Sequence, residues 1–345
     1  MPPKSINKTL SEYTPCFNAG VIFFFITLLF TTKFAEASPN DTARINELLA
    51  KSKLLQNTDQ DSSYHLATHA YELSVKSDYK KGMGTALIRL GSILTANGKN
   101  DSALILAHQA FSIRKSINDN KGASGACILL SYIYSSLGKK DSAFASIYEA
   151  LRLNKDSNND TNNVQIYINL GYLYTDYKDL KGAMESFQKA ARLSEKMNYK
   201  NGLVDANDGL GNYYYRLKEY SKALTFYTIN DSIFKNGSEE ISVAQNMNNI
   251  AICYDGLKNY PLARFYYSKA LDSYLALNMK NEIANGFYNL GNLYNSINKP
   301  DSAIYLLNKA IPVAQEAGDL QRIKKCYYTL SEAYKLKGDY SKAYN

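Results

Sequence analysis

The chain has 345 residues, 45% of them hydrophobic, which is enough to bury a sizeable core, and it carries a formal net charge of +8. Such a charge suits nucleic acid or an anionic membrane when its lysines and arginines gather on one face. Here the lysines are scattered over turns such as "YKKG", "NGKN" and "LGKKD" and arginine is sparse, so the charge reads as a solvated surface and nucleic acid is not expected as a partner. Tyrosine is the unusual residue, 30 copies against no tryptophan. Its ring suits positions that are covered while the hydroxyl reaches water.

In chain order, the first 37 residues read as a leader. Lys4 and Lys8 give a positive start, Ala19 to Thr31 form an apolar core of about 13 residues, and Ala35, Glu36 and Ala37 offer small residues at cleavage spacing. The pattern is that of a bacterial export signal. An uncleaved N-terminal membrane anchor stays open, because the stretch before the core is long and Lys33 follows it, although a spanning helix needs roughly 20 apolar residues. Cys16 precedes the apolar core and so is no lipoprotein attachment site. From about residue 38 on, the chain is expected outside the cytoplasm, periplasmic or secreted, with membrane contact only through an uncleaved leader or a further C-terminal part.

A weak helix at Ala43 to Gln56, together with the segment after it, makes 38–80 a degenerate N-terminal hairpin. From Asp61 the chain falls into ungapped blocks of forty, among them "DSALILAHQAFSI", "KGAMESFQKAARL" and "DSAIYLLNKAIPV", so 81–345 reads as a repeat solenoid whose last repeat is truncated. One half of each block, helix B, carries an alanine column at Ala103, Ala143, Ala183, Ala223, Ala263 and Ala303. A larger column comes next at Ile147, Phe187, Tyr227, Tyr267 and Leu307, then alanine again at Ala110, Ala150, Ala190, Ala270 and Ala310. Spacings of four and three put these columns on one face. The other half, helix A, sets Leu90, Leu130, Leu170, Leu210, Ile250, Leu290 and Leu330 beside Gly91, Ser131, Gly171, Gly211, Ala251, Gly291 and Ser331, with Tyr134, Tyr174, Tyr214, Tyr254, Tyr294 and Tyr334 four residues beyond the first column. The small column marks a close contact and the tyrosines a rim. Gly98, Gly138, Asn298 and Gly338 sit at turns after helix A, and Asn118, Asn158, Asn198, Asn278 and Gly318 at turns after helix B, where left-handed backbone is expected.

The set Phe287, Leu290, Gly291, Tyr294, Ala303, Leu307 and Ala310 resembles the tetratricopeptide repeat in residue type and spacing. That family has a period of about 34 residues. Since the spacings from Phe287 to Ala310 are unchanged, the extra length is expected after Ile311, in helix B and its loop, as in the long variant common in bacterial signalling proteins. The resemblance implies an all-α, right-handed superhelical solenoid of antiparallel helix hairpins, whose helices A line a concave groove that binds protein or peptide. Two departures stand out, Asn230 in the alanine column and Pro312 inside a helix B, where a kink is expected.

On helix A, the face opposite the packing stripe offers the groove lining. Its candidates are Gln165, Asn169, Tyr172 and Asp176, then Asp205, Asn212 and Arg216, then Gln245 and Asn249, then Asn285, Asn289, Asn292 and Ser296. Amides there can pair both N–H and C=O groups of an extended peptide, although asparagine beside leucine and glycine is also a common choice in such a repeat. No lysine and arginine set for a terminal carboxylate is evident, since Arg89, Arg216 and Lys325 lie far apart. His65 and His69 share a helix face with His108 on the next helix B, but Leu66 stands where a zinc-protease glutamate would be. Cys127, Cys253 and Cys326 lie singly in different repeats and read as core. With no phosphate loop, nucleophile elbow or carboxylate pair beside a base, neither enzymatic activity nor a metal or other cofactor is expected.

At the end of the chain, Asn345 falls early in a helix B, which suggests the front part of a longer protein. The expected function is the extracytoplasmic input part of a bacterial signal-transduction protein. The alternative is a freestanding periplasmic or secreted scaffold with no output domain.

Overall fold

The computed structural model describes residues 38–56, 59–155, 161–234 and 240–344; the leader at 1–37, Asn158 and Asn345 lie outside them. Every regular element among the described residues is a helix, and successive helices pair into hairpins. These are α1 (Pro39–Leu55) with α2 (Gln60–Lys76), α3 (Lys80–Ala96) with α4 (Asn100–Ser116), and α5 (Asn120–Ser136) with α6 (Lys140–Leu153). Next come α7 (Thr161–Asp176) with α8 (Leu180–Lys196), α9 (Lys200–Arg216) with α10 (Tyr220–Phe234), and α11 (Glu240–Gly256) with α12 (Tyr260–Ala276). The last pairs are α13 (Lys280–Ser296) with α14 (Pro300–Glu316), and α15 (Leu320–Lys337) with the short α16 (Tyr340–Tyr344). No helix among the described residues is long and apolar enough to cross a membrane.

The period of forty is filled by two 17-residue helices, such as α3 and α4, and two three-residue turns. One turn both closes a helix and opens the next. After α3, the Gly98 N–H donates to Thr95 O at 3.0 Å and the Lys99 N–H to Leu94 O at 2.8 Å, a Schellman closure that needs left-handed backbone at Gly98 (φ 72°). Further along, Asp119 and Asp179 begin the next helices by accepting the Gly122 and Gly182 N–H groups, each at 2.9 Å. Asn118, Asn198, Asn278 and Asn298 take the left-handed position as their residue type predicts, but so do Asp78, Lys178, Lys218 and Lys258, at φ 48° to 62°. A lysine there is strained by about 1–2 kcal/mol, which the two closing bonds and the packing of both helices outweigh.

The alanine columns are buried completely or nearly so, and Ile147, Phe187, Tyr227, Tyr267 and Leu307 are buried between them. The small column of helix A explains itself in contact with these. A Cβ added at Gly171 would stand 2.5 Å from the Phe187 ring, one at Gly211 2.6 Å from Tyr227, and one at Gly291 2.9 Å from Leu307. Each glycine thus admits the large residue of its own hairpin partner. The rim tyrosines are half-buried, with Tyr214 stacked on Phe226 and Tyr254 on Tyr266. The three cysteines are buried and free, and burial pushes the Cys127 and Cys253 thiols up to about 12.

Helix α14 runs unbroken through Pro312 to Glu316. The carbonyl that Pro312 cannot bond belongs to Asn308, which is exposed, so water can replace the missing donor.

Candidate functional site

The odd-numbered helices from α1 to α9 form a continuous inner wall. α1 touches α3, α3 touches α5, α5 touches α7 and α7 touches α9, whereas no two consecutive even-numbered helices pack together to that extent among the described residues. Helices that approach on one side and splay on the other make a curved stack, concave on the odd side. The curvature closes enough for Gln56, at the end of α1, and Asn169, on α7, to line one cavity of about 350 Å³ with Ile88, Ser92, Gly125 and Tyr132.

A larger cavity, of about 440 Å³, adjoins it and shares Tyr132 and Asn169. Its walls come from three consecutive inner helices: Ser131, Tyr132, Ser135 and Ser136 of α5, Gln165, Asn169, Tyr172 and Asp176 of α7, and Asp205 and Asp208 of α9. Each helix presents these residues because the opposite stripe, Leu130, Leu170 and Leu210, is held in the core.

The floor is acidic. Asp205 and Asp208, three apart on α9, are neighbours on one helix face. Gln165 Nε2 donates to Asp205 Oδ2 at 3.2 Å, and Asn230 Nδ2 donates to Asp208 Oδ1 at 2.9 Å. Burial raises the Asp205 carboxyl, opposed by the Gln165 bond and the charge of Lys53. Burial and then the Asp205 charge push Asp208 up to about 7, against the Asn230 bond. Tyr172 is 41% exposed, yet its hydroxyl is sunk among these groups, and burial followed by the charges of Asp208 and Asp205 raises its phenol.

Asn230, the exception in the alanine column, lies at the centre of this arrangement. It is fully buried, accepts from Asn207 Nδ2 at 3.0 Å, and donates to Val204 O at 3.2 Å as well as to Asp208. The exception is a polar node that reaches from α10 through α9 to the cavity floor.

Of the residues proposed from sequence, Gln165, Asn169, Tyr172, Asp176 and Asp205 are brought together in this cavity. Asn212 accepts the Tyr227 hydroxyl at 2.9 Å within its own hairpin, and its side chain also hydrogen-bonds Tyr172 on the cavity wall without itself lining the cavity. Arg216, Gln245 and Ser296 are exposed, and Asn249, Asn285, Asn289 and Asn292 are half-buried on α11 and α13; none of them lines either cavity. Several amides are engaged within the chain. Asn169 Nδ2 donates to Gln165 O at 2.8 Å, Asn289 Nδ2 to Asn248 Oδ1 at 2.9 Å across neighbouring repeats, and Asn295 Nδ2 to Thr329 O at 2.9 Å. Asp208 and Tyr132 were not anticipated. A carboxylate two positions before the Leu210 column, in the one repeat where alanine gives way to Asn230, was the available signal.

At the N-terminal end of the wall, Arg89 donates through Nη1 to Gln56 Oε1 at 2.6 Å, while its buried Nε has no partner. His65 and His69 are exposed, and His108 Nε2 lies 3.1 Å from the Tyr134 hydroxyl. Among the described residues no group of three His, Cys, Asp or Glu side chains is placed to hold a metal ion.

The geometry defines a helical-hairpin solenoid with a concave inner wall. Residues 124–157 and 164–197 match the sequence model of the tetratricopeptide repeat, and residues 256–337 match that of anaphase-promoting complex subunit 5. No curated protein matches the sequence. Among solved structures, the chain is similar to a signal-transduction ATPase with numerous domains and a tetratricopeptide repeat sensor from Pyrococcus horikoshii. That likeness has a TM-score of 0.64 and 16% identity, covering 89% of this chain and 52% of the other, so this chain spans about half that protein's length. A Rap protein complexed with competence and sporulation factor matches with a TM-score of 0.58 and 15% identity over 88% of this chain and 94% of that one. BtubC from P. vanneervenii matches at 0.52 and 24% identity, over 60% and 86%. The chain carries tetratricopeptide repeats, wound as an all-α right-handed superhelix, and is a protein-binding repeat domain in type.

Proposed function

We propose that this chain is a non-catalytic, exported repeat domain that binds a protein or peptide in its concave groove, as the extracytoplasmic input part of a bacterial signal-transduction protein. The observation that carries the binding reading is the cavity of about 440 Å³ built by α5, α7 and α9, which presents polar groups and the rings of Tyr132 and Tyr172 on the inner wall. Export is supported by the leader pattern, with Lys4 and Lys8 before the apolar core and Ala35, Glu36 and Ala37 after it. A signalling role is suggested by likeness to an ATPase whose repeat region is described as a sensor, and to a Rap protein in complex with a factor.

The test places a photo-crosslinking benzoylphenylalanine at Tyr132, on the inner wall, or at Tyr305, exposed on α14 of the outer layer. A partner captured through position 132 and not 305 supports groove binding; the reverse overturns it. A C-terminal alkaline phosphatase fusion, active only outside the cytoplasm, tests export. An inactive but stable fusion would overturn that part.

A further inference from the structure

We infer that the cavity between α5, α7 and α9 is a subsite for one arginine side chain of an extended partner segment. The inference rests on the groove-binding reading and names what the groove selects.

The cavity has the size and chemistry for a guanidinium. Its rim carries the ring of Tyr132, 54% exposed, and the ring of Tyr172, and aromatic faces attract a cation set against them. Its floor carries two carboxylates that are each half used. Gln165 occupies Asp205 Oδ2 and Asn230 occupies Asp208 Oδ1, while Asp205 Oδ1 and Asp208 Oδ2 receive no protein donor. Asp176 adds a third carboxylate at the mouth.

No ion pair within the described residues satisfies any of the three, even though the chain as a whole carries a net charge of +8. Lys53 of α1 is felt by Asp205 only through its charge. A concave acidic floor in a basic protein attracts a cation from outside and repels anionic segments. The carboxylates are not arranged as a metal site. A planar guanidinium, with five donors in a fixed fork, can reach the free oxygens of two separate carboxylates and lie flat against a tyrosine ring at once, whereas an ammonium offers three donors around one point charge and no flat face.

The test immobilises the full chain and selects binders from a random linear peptide library. The selected peptides are expected to share an arginine. Replacing it by citrulline, which keeps the shape and removes the charge, should weaken binding at least about tenfold. The same replacement should change little on the Asp205→Asn variant or the Asp208→Asn variant, both of which keep an acceptor for the existing amide donor.

Peptides that bind the inner wall without a shared arginine, or citrulline peptides bound equally well, overturn the inference and leave groove binding standing. Equal binding of a lysine peptide, or displacement by spermidine at the same concentration, also overturns it, by making the cavity a general cation pocket. Failure to select any peptide from the library overturns the groove reading as well.

Discussion

Asn230 of α10 donates its amide to the Asp208 carboxylate of α9 at 2.9 Å, from a position where the other repeats keep alanine. The pair links the packing of one hairpin to the floor of the inner cavity. Asn230→Ala restores the repeat's own pattern, yet it leaves the buried Asn207 amide without its acceptor and Asp208 without its donor. The variant should lose about 1–3 kcal/mol of stability in urea denaturation, against the usual gain from a consensus substitution. An unchanged or raised midpoint would contradict this account of the node.

Asp208 gives the protein a pH dependence of definite sign. Its carboxyl is pushed from the ordinary 3.8 to about 7 by burial and by Asp205, so on raising the pH the unfolded chain gives up its proton first. The contribution of Asp208 to stability therefore falls between about pH 4 and pH 7 and stays low above that. Asp208→Asn should match the parent near pH 4 and exceed it at pH 8, by on the order of 2–4 kcal/mol. Denaturation of both proteins at the two pH values measures the difference; a difference independent of pH would contradict the buried, ionising carboxylate.

Two helical glycines should respond oppositely to alanine. At Gly171 a Cβ would stand 2.5 Å from the Phe187 ring, and Phe187 is wedged against Gly209 of the next repeat as well, so the ring has no room to give. Gly171→Ala should destabilise by about 1–3 kcal/mol. At Gly125 the nearest atom is Ile88 Cδ1 at 3.7 Å, an ordinary contact, and Gly125→Ala should stabilise by about 0.5–1 kcal/mol through helix propensity. Melting temperatures of the two variants check the contrast.

Asn289 tests what the regular asparagines do. Its amide is held by Asn248 of the preceding repeat, which is itself buried. Asn289→Ala should lower stability by about 1 kcal/mol, because it strands an acceptor between α11 and α13. An unchanged stability would instead favour a free amide on the groove face.

The solenoid was legible because its determinants are local and repeated. Leucine, glycine and alanine columns at fixed spacing set which faces pack, and the structure buries Leu170, Ala183, Phe187 and Ala190 as those columns require. The turns were legible only where the residue type itself favours a left-handed backbone, as at Asn198. Lys178, Lys218 and Lys258 occupy the same place because two packed helices impose it, which no single residue announces. Within the site, Gln165, Asn169, Tyr172 and Asp205 could be found from one helix face. Asp208 could not, because its role depends on Asn230 in the partner helix and on how far α9 leans toward α7. The asparagines were visible as a column, but their use in bonds between repeats, as from Asn289 to Asn248, is a property of the stack.

The most direct measurement is the affinity of the segment captured at position 132, by isothermal titration, for the parent protein and for Ser136→Trp. Ser136 is exposed at the edge of the cavity, so a tryptophan there fills the opening while the fold is left intact. The account predicts at least about a tenfold loss of affinity, roughly 1.4 kcal/mol, with an unchanged melting temperature. Equal affinity with the cavity filled would contradict the claim that the inner wall of α5, α7 and α9 is where this protein binds its partner.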